Sequence, residues 1–205
     1  MMGFIEPEQA EQAPSPMRME QEQAVAAEGE AAPREEVVPA GTAEAETGGI
    51  VLEEGPALTN EALRDWANRW CSGDREGLPP ISTWNTSRVT DISKLFMRQK
   101  GFNDDISAWD TSSVTTMRLM FYGAESFNQP LDGWRVHKVT DMSWMFSGAK
   151  SFNQPLSDWR VDKVTDMSRM FSGASAFNQP LSDWRVDKVT DMSWMFTGAS
   201  SAPYR

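Results

Sequence analysis

Three sets of side chains in this sequence have the types and spacing that chemistry could use. The first is a series of carboxylates, Asp141, Asp166 and Asp191, each 25 residues from the next. Stacked at the strand spacing of about 4.8 Å, such carboxylates could share Ca2+. The same register also holds Asp91 and Thr116. Exchanging Asp for Thr discards a charged ligand but keeps the ability to cap a backbone N–H. The series is therefore assigned to capping, and no metal is expected. The second set is the pair of single-copy residues Cys71 and His137. One thiol and one imidazole make neither a disulfide nor an ordinary zinc site. His137 shares its register with Ser87, Ser112, Asp162 and Asp187, a drifting solvent position. No phosphate-cradling glycine loop and no nucleophile–base pair stands out, so no catalytic residue and no cofactor is assigned.

The third set is the register Lys94, Leu119, Trp144, Arg169, Trp194, the most varied in the chain. Such variation argues against a core position, yet two Trp side chains are costly to leave in water. Two readings stay open and can coexist. Trp144 and Trp194, two units or roughly 9–10 Å apart at the usual spacing, can sandwich Arg169 through cation–π attraction. Alternatively, Trp144, Arg169 and Trp194 form a partner-binding patch, since Trp and Arg dominate binding hot spots.

The element that positions these side chains is a repeat. Trp84, Trp109, Trp134, Trp159 and Trp184 recur every 25 residues, with Val89, Val114, Val139, Val164, Val189 and Phe96, Phe121, Phe146, Phe171, Phe196 in step. Residues 151–174 and 176–199 differ at three positions, which only a duplicated structural unit explains. An Ile/Leu column, two Ile/Leu/Met columns and a second Phe column complete the apolar set. Each column stacks on its counterpart to make a continuous core. Eight of the thirteen Met residues fall in the two Met columns, where they fill irregular gaps between coils. Asn103, Asn128, Asn153 and Asn178 are expected to form an internal ladder. Within each coil the pattern predicts a short strand at Pro-Leu-Ser-Asp-Trp and another at Lys-Val-Thr. A turn and a half of helix, as over 142–147, follows, with Asp141 as N-cap and Gly148 just past its end. The fold class expected is a repeat solenoid over 78–199, leucine-rich-repeat-like, of about five coils, with a tail at 200–205.

A helix capped by Asn60 is predicted over 58–72, because Leu63, Trp66, Ala67 and Trp70 make one apolar face. It sits where a solenoid needs its terminal core covered, and places Cys71 as a small packed side chain. No second cap follows the last coil. Ala202 stands where a Phe is due, so that end is expected either to self-associate or to continue in a longer chain.

Charge divides the chain sharply. Residues 1–57 hold thirteen Glu and two Arg, or −11, while the remainder holds seventeen acidic and seventeen basic side chains. The first segment is expected to be a disordered acidic arm, or one that orders on a basic partner. The neutral remainder argues against a nucleic-acid binder, which needs a clustered Lys/Arg surface. No run of about eighteen apolar residues suggests a membrane span. The acidic start does not resemble a secretory leader, which by itself points to the cytosol.

The stretch Phe-Asn-Gln-Pro-Leu-Ser-Asp-Trp-Arg-Val-Asp-Lys-Val-Thr-Asp-Met-Ser-Trp-Met-Phe resembles the BspA-like leucine-rich-repeat surface proteins. It is closest to their 25-residue form, known in mycoplasma-type surface lipoproteins and in algal proteins. The resemblance covers about residues 58–199. It implies a leucine-rich-repeat-like solenoid, often at a cell surface, suspected in adhesion or protein recognition. The family brings no catalytic residues to carry over. The chain lacks that family's signal peptide and lipoprotein cysteine near its start, so its location is left open between cytoplasm and surface. Two functions are carried forward: a non-enzymatic module binding a protein partner, or a structural protein stacking through its last coil.

Overall fold

Columns that repeat every 25 residues can stack only if the chain closes a loop in that number and returns one layer further on. In the computed structural model, which describes residues 55–202, it does so. All described residues belong to one compact unit, Ile50–Arg205. The acidic arm expected over 1–57 lies, up to residue 54, outside the described residues. Residues 55–58 are tied to the first coil: the Leu58 N–H donates to the Asn85 carbonyl at 2.8 Å, and Asn85 Nδ2 to the Gly55 carbonyl at 3.1 Å.

The layers are joined by a backbone ladder in which alternate residues face alternate ways. In the segment 142–149, the N–H groups of Met142, Trp144, Phe146 and Gly148 donate to Asp166, Ser168, Met170 and Ser172 of the next coil at 2.7–3.0 Å. The intervening N–H groups of Met145, Ser147 and Ala149 turn back to the carbonyls of Met142, Trp144 and Phe146. Each segment is thus a continuous run of turns, and the helix expected over 142–147 is absent. Its signals were real but belong to turns. Trp144 and Gly148 have φ of 59° and 73°, values no right-handed helix accommodates. Asp141 caps locally instead, its Oδ1 accepting from the Ser143 N–H at 2.8 Å and the Ser143 hydroxyl at 2.6 Å.

The two expected strands are also replaced. Leu131–Trp134 is a turn closed by the Trp134 N–H on the Leu131 carbonyl at 3.0 Å. Around Lys-Val-Thr only one residue per coil pairs with the next, in parallel bridges joining Asp91, Thr116, Asp141, Asp166 and Asp191 in series. Beside them Thr140 donates both its N–H and its hydroxyl to the Thr115 carbonyl. With every coil bonded to its neighbours through scattered single residues, extended strands are not needed to satisfy the backbone.

Side chains follow the same translation. Phe121, Phe146 and Phe171 stack face to face at 5.5 and 5.6 Å, and Phe146 lies 4.0 Å from Phe152 within its own coil. From Trp109 onward each column Trp donates its indole N–H to the previous coil, as Trp134 does to the Ile106 carbonyl and Trp159 to that of Leu131, whereas Trp84 donates to the Pro79 carbonyl of its own coil. Two further buried columns escaped the sequence reading. Ala124, Ala149, Ala174 and Ala199 form one. Thr86, Thr111, Val136 and Val161 form the other; its threonines stay satisfied by donating to the Asp110 and Arg135 carbonyls. The Asn ladder exists, but at a part-exposed edge: each Asn Oδ1 accepts the backbone N–H of the next Asn at 2.8–2.9 Å.

Helix α1 spans Asn60–Ser72 and covers the first coil. Its N-cap is Thr59, whose hydroxyl accepts from the Ala62 N–H at 3.2 Å, rather than Asn60. Asn60 has a different task. In later coils the Thr carbonyl of one layer accepts N–H groups of the next, as Thr165 accepts from Thr190 and Asp191. The first coil has no layer before it, and Asn60 Oδ1 takes that place, accepting from Thr90 and Asp91 at 2.9 and 3.3 Å. Arg64 adds a bond to the Ser93 carbonyl at 2.7 Å and an ion pair with Asp91 at 3.0 Å. Trp66 and Trp70 set their edges against Trp84 at 5.3 and 5.8 Å. At the other end Met192 and Trp194 are 40% and 62% exposed, while Ala202, expected in a tail, is buried in the Phe column.

Candidate functional site: an aromatic and cationic face

The varied register lies where the chain turns in the left-handed region. Lys94, Leu119, Trp144, Arg169 and Trp194 have φ between 55° and 61°. A side chain there is disfavoured by contact with its own backbone. The ladder bonds that donate from each of the first four residues to the next coil hold it in place, as Arg169 N–H does to the Ser193 carbonyl at 2.9 Å. None of the five is buried.

The structure brings the three candidate residues together. The Arg169 guanidinium carbon lies 4.4 Å from the Trp144 ring centroid and 5.8 Å from that of Trp194. This is the sandwich expected from the sequence, and it is half-exposed to exposed along its length. Beyond Trp144 the face continues to Tyr122, edge-on to that indole at 5.8 Å, and then to Arg98, 5.9 Å from the Tyr122 ring. Sequence reasoning missed both. Tyr122 shares its register with Met97, Ser147, Ser172 and Thr197, which shows no pattern. Arg98 carried a usable signal: it stands alone in a column of glycines.

The carboxylate column is spread rather than converging. Ser143, Ser168 and Ser193 N–H groups occupy Oδ1 of Asp141, Asp166 and Asp191 at 2.8 Å each. For Asp191 that backbone bond, with the Ser193 hydroxyl, holds the carboxyl below its ordinary range. Asp91 is also held low: partial burial opposes ionisation, but bonds from Ser93 and the charge of Arg64 outweigh it. Among the described residues no three His, Cys, Asp or Glu side chains converge as a metal would require. His137 sits part-exposed on its solvent column. Cys71 is half-buried against α1's packing, and burial, aided by Asp104, pushes its thiol up to about 11. No helix among the described residues is long and apolar enough to cross a membrane.

A family model described as "Mycoplasma protein of unknown function, DUF285" matches residues 71–163 and again 131–203. The chain belongs to this family. The two overlapping matches fall on the 25-residue coils and reach into the last turn of α1. No curated protein and no solved structure matches the chain.

Proposed function

We propose that this DUF285 protein is a non-enzymatic recognition module, a leucine-rich-repeat-like solenoid whose aromatic and cationic face binds a protein partner. The observation that carries the reading is the Trp144–Arg169–Trp194 stack, set outward on left-handed backbone. The repeat places that backbone in every coil, so it presents these side chains without disturbing the core, and Trp and Arg are the residues that most often anchor interfaces. The resemblance to BspA-like surface proteins supports the same reading, since adhesion is protein recognition at a surface.

A second reading, self-assembly through the last coil, is favoured by the exposure of Val186, Met192 and Trp194. The cap on the first coil weighs against its simplest form, head-to-tail stacking. The Asp191, Ser193, Met195 and Thr197 carbonyls already accept from the coil before, and Met192 and Trp194 stand where earlier coils donate N–H groups to a following layer. That edge offers donors and the Thr190 carbonyl together, while α1 covers the opposite edge of the stack, so a second copy would have to meet this end without the coil-on-coil register.

The test uses the full chain as bait. A captured protein is purified and its affinity measured for wild type and for a Trp144→Ser, Trp194→Ser variant. Loss of binding with a melting temperature near wild type supports the recognition reading. Unchanged binding removes the face from the account, and an unfolded variant would reassign both indoles to the core.

A further inference from the structure

Beside Trp144 lies a shallow basin of about 370 Å3. Its floor is apolar, made by Met97, Leu119, Tyr122 and Trp144, and its rim holds Lys94, Arg98 and Arg118. No carboxylate lines it. Arg118 reaches Asp141 only at 4.0 Å, and neither Lys94 nor Arg98 has an ion-pair partner among the described residues. Two unpaired cations and the loosely paired Arg118 make the basin a locally positive site on a body that is neutral as a whole.

Arg98 is the second, independent sign. Its φ is 62°, and later coils place Gly123, Gly148, Gly173 and Gly198 at the same step with φ of 68–73°. Glycine adopts this conformation without steric cost, whereas arginine does not. The structural duty of the position is a backbone one: the Arg98 N–H donates to the Tyr122 carbonyl at 2.6 Å, as the Gly148 N–H does to Ser172 at 2.7 Å. A glycine would serve that duty better, so the fold does not account for the side chain. Its exposed guanidinium matches a carboxylate in shape and charge.

We propose that this basin binds an acidic peptide segment of the partner protein that carries an aromatic side chain, an inference that deepens the recognition reading and depends on it. The ring packs on Leu119, Tyr122 and Trp144 while flanking carboxylates meet Lys94, Arg98 and Arg118. Single-stranded nucleic acid also combines anions with flat rings. It is disfavoured because the rim is short and the folded body has seventeen acidic against seventeen basic side chains over residues 58–205.

The probe is a fluorescent Glu-Glu-Phe-Glu-Glu peptide titrated with the full chain, its anisotropy followed at low salt and at about 0.5 M, where surface charge pairs are screened. Binding at low salt that weakens at high salt is expected. Weaker binding of the Glu-Glu-Ser-Glu-Glu peptide, and none of Lys-Lys-Phe-Lys-Lys, are expected too. Arg98→Gly should weaken the Phe peptide about five-fold, the upper end for an exposed charge pair. The same variant should raise the melting temperature by about 2 °C. A fall in melting temperature, unchanged peptide affinity in the variant, equal binding of the Ser peptide, or tighter binding of an oligouridine strand would each overturn the proposal. If partner capture depends on Trp144 and Trp194 while the acidic peptides fail, the recognition reading stands and only this chemistry falls.

Discussion

At the residue scale the account turns on single acceptors placed where a backbone N–H needs one. Asp166 shows this: its Oδ1 takes the Ser168 N–H at 2.8 Å, between two parallel bridges. Asp166→Asn keeps the acceptor and should leave stability nearly unchanged. Asp166→Ala strands the donor and should cost about 1 kcal/mol, read from urea denaturation. Adding Ca2+ should shift neither melting curve; a rise of many degrees in wild type alone would make the column a metal site. Asp91 gives a pH signature. Its folded carboxyl ionises below its ordinary range. Its stabilising contribution is therefore complete above about pH 4, the unfolded value, and is lost as pH falls through the lower folded value. The loss of stability as pH falls below about 4 should be smaller in Asp91→Asn than in wild type, because that variant lacks one of the lowered carboxyls; an equal loss would remove Asp91 from the acid response. Cys71, raised to about 11, holds little thiolate at pH 8. It should react with a disulfide reagent far more slowly in the native chain than in urea. Equal rates would mean the α1 contact around it opens freely.

At the scale of elements, the sequence was informative where one residue type recurred in every coil and misleading where a signal has two structural meanings. The Trp, Phe and Val columns were legible because burial tolerates little exchange, and Trp109, Phe121 and Val139 are all buried. The coil helix was misread because Asp before an apolar run and Gly after it mark a helix, and equally mark an Asx-type turn and a left-handed turn. What decided between them was a bond to a layer 24 residues away, from Trp144 N–H to the Ser168 carbonyl, which no local window contains. The Thr/Val column stayed hidden because its polar members look like solvent positions until their hydroxyls are seen bonded within the core. Helix α1 was placed correctly, but Thr59 and Asn60 divide the work assigned to Asn60 alone. Thr59→Ala should cost about 1 kcal/mol through the helix end. Asn60→Ala should additionally expose the Thr90 and Asp91 amides to hydrogen exchange, an effect Thr59→Ala lacks. If both variants expose those amides alike, Asn60 does not stand in for a preceding coil.

At the scale of the whole molecule, stacked coils hold each column in line, and the left-handed column becomes a row of exposed side chains free to differ without disturbing the core. That freedom explains why the candidate face was only partly legible. Trp144, Arg169 and Trp194 announced themselves by type, whereas Tyr122 and Arg98 join them only once the turns are known. Hydroxyl-radical footprinting tests the recognition claim most directly, because the side chains at issue include Met, Tyr and Trp, which are readily oxidised. With a purified partner bound to the full chain, oxidation of Met97, Tyr122, Trp144 and Trp194 should fall together while that of Trp66, which packs on Trp84 and does not line the basin, stays constant. Unchanged oxidation at Tyr122 and Trp144 in a saturated complex would contradict the account.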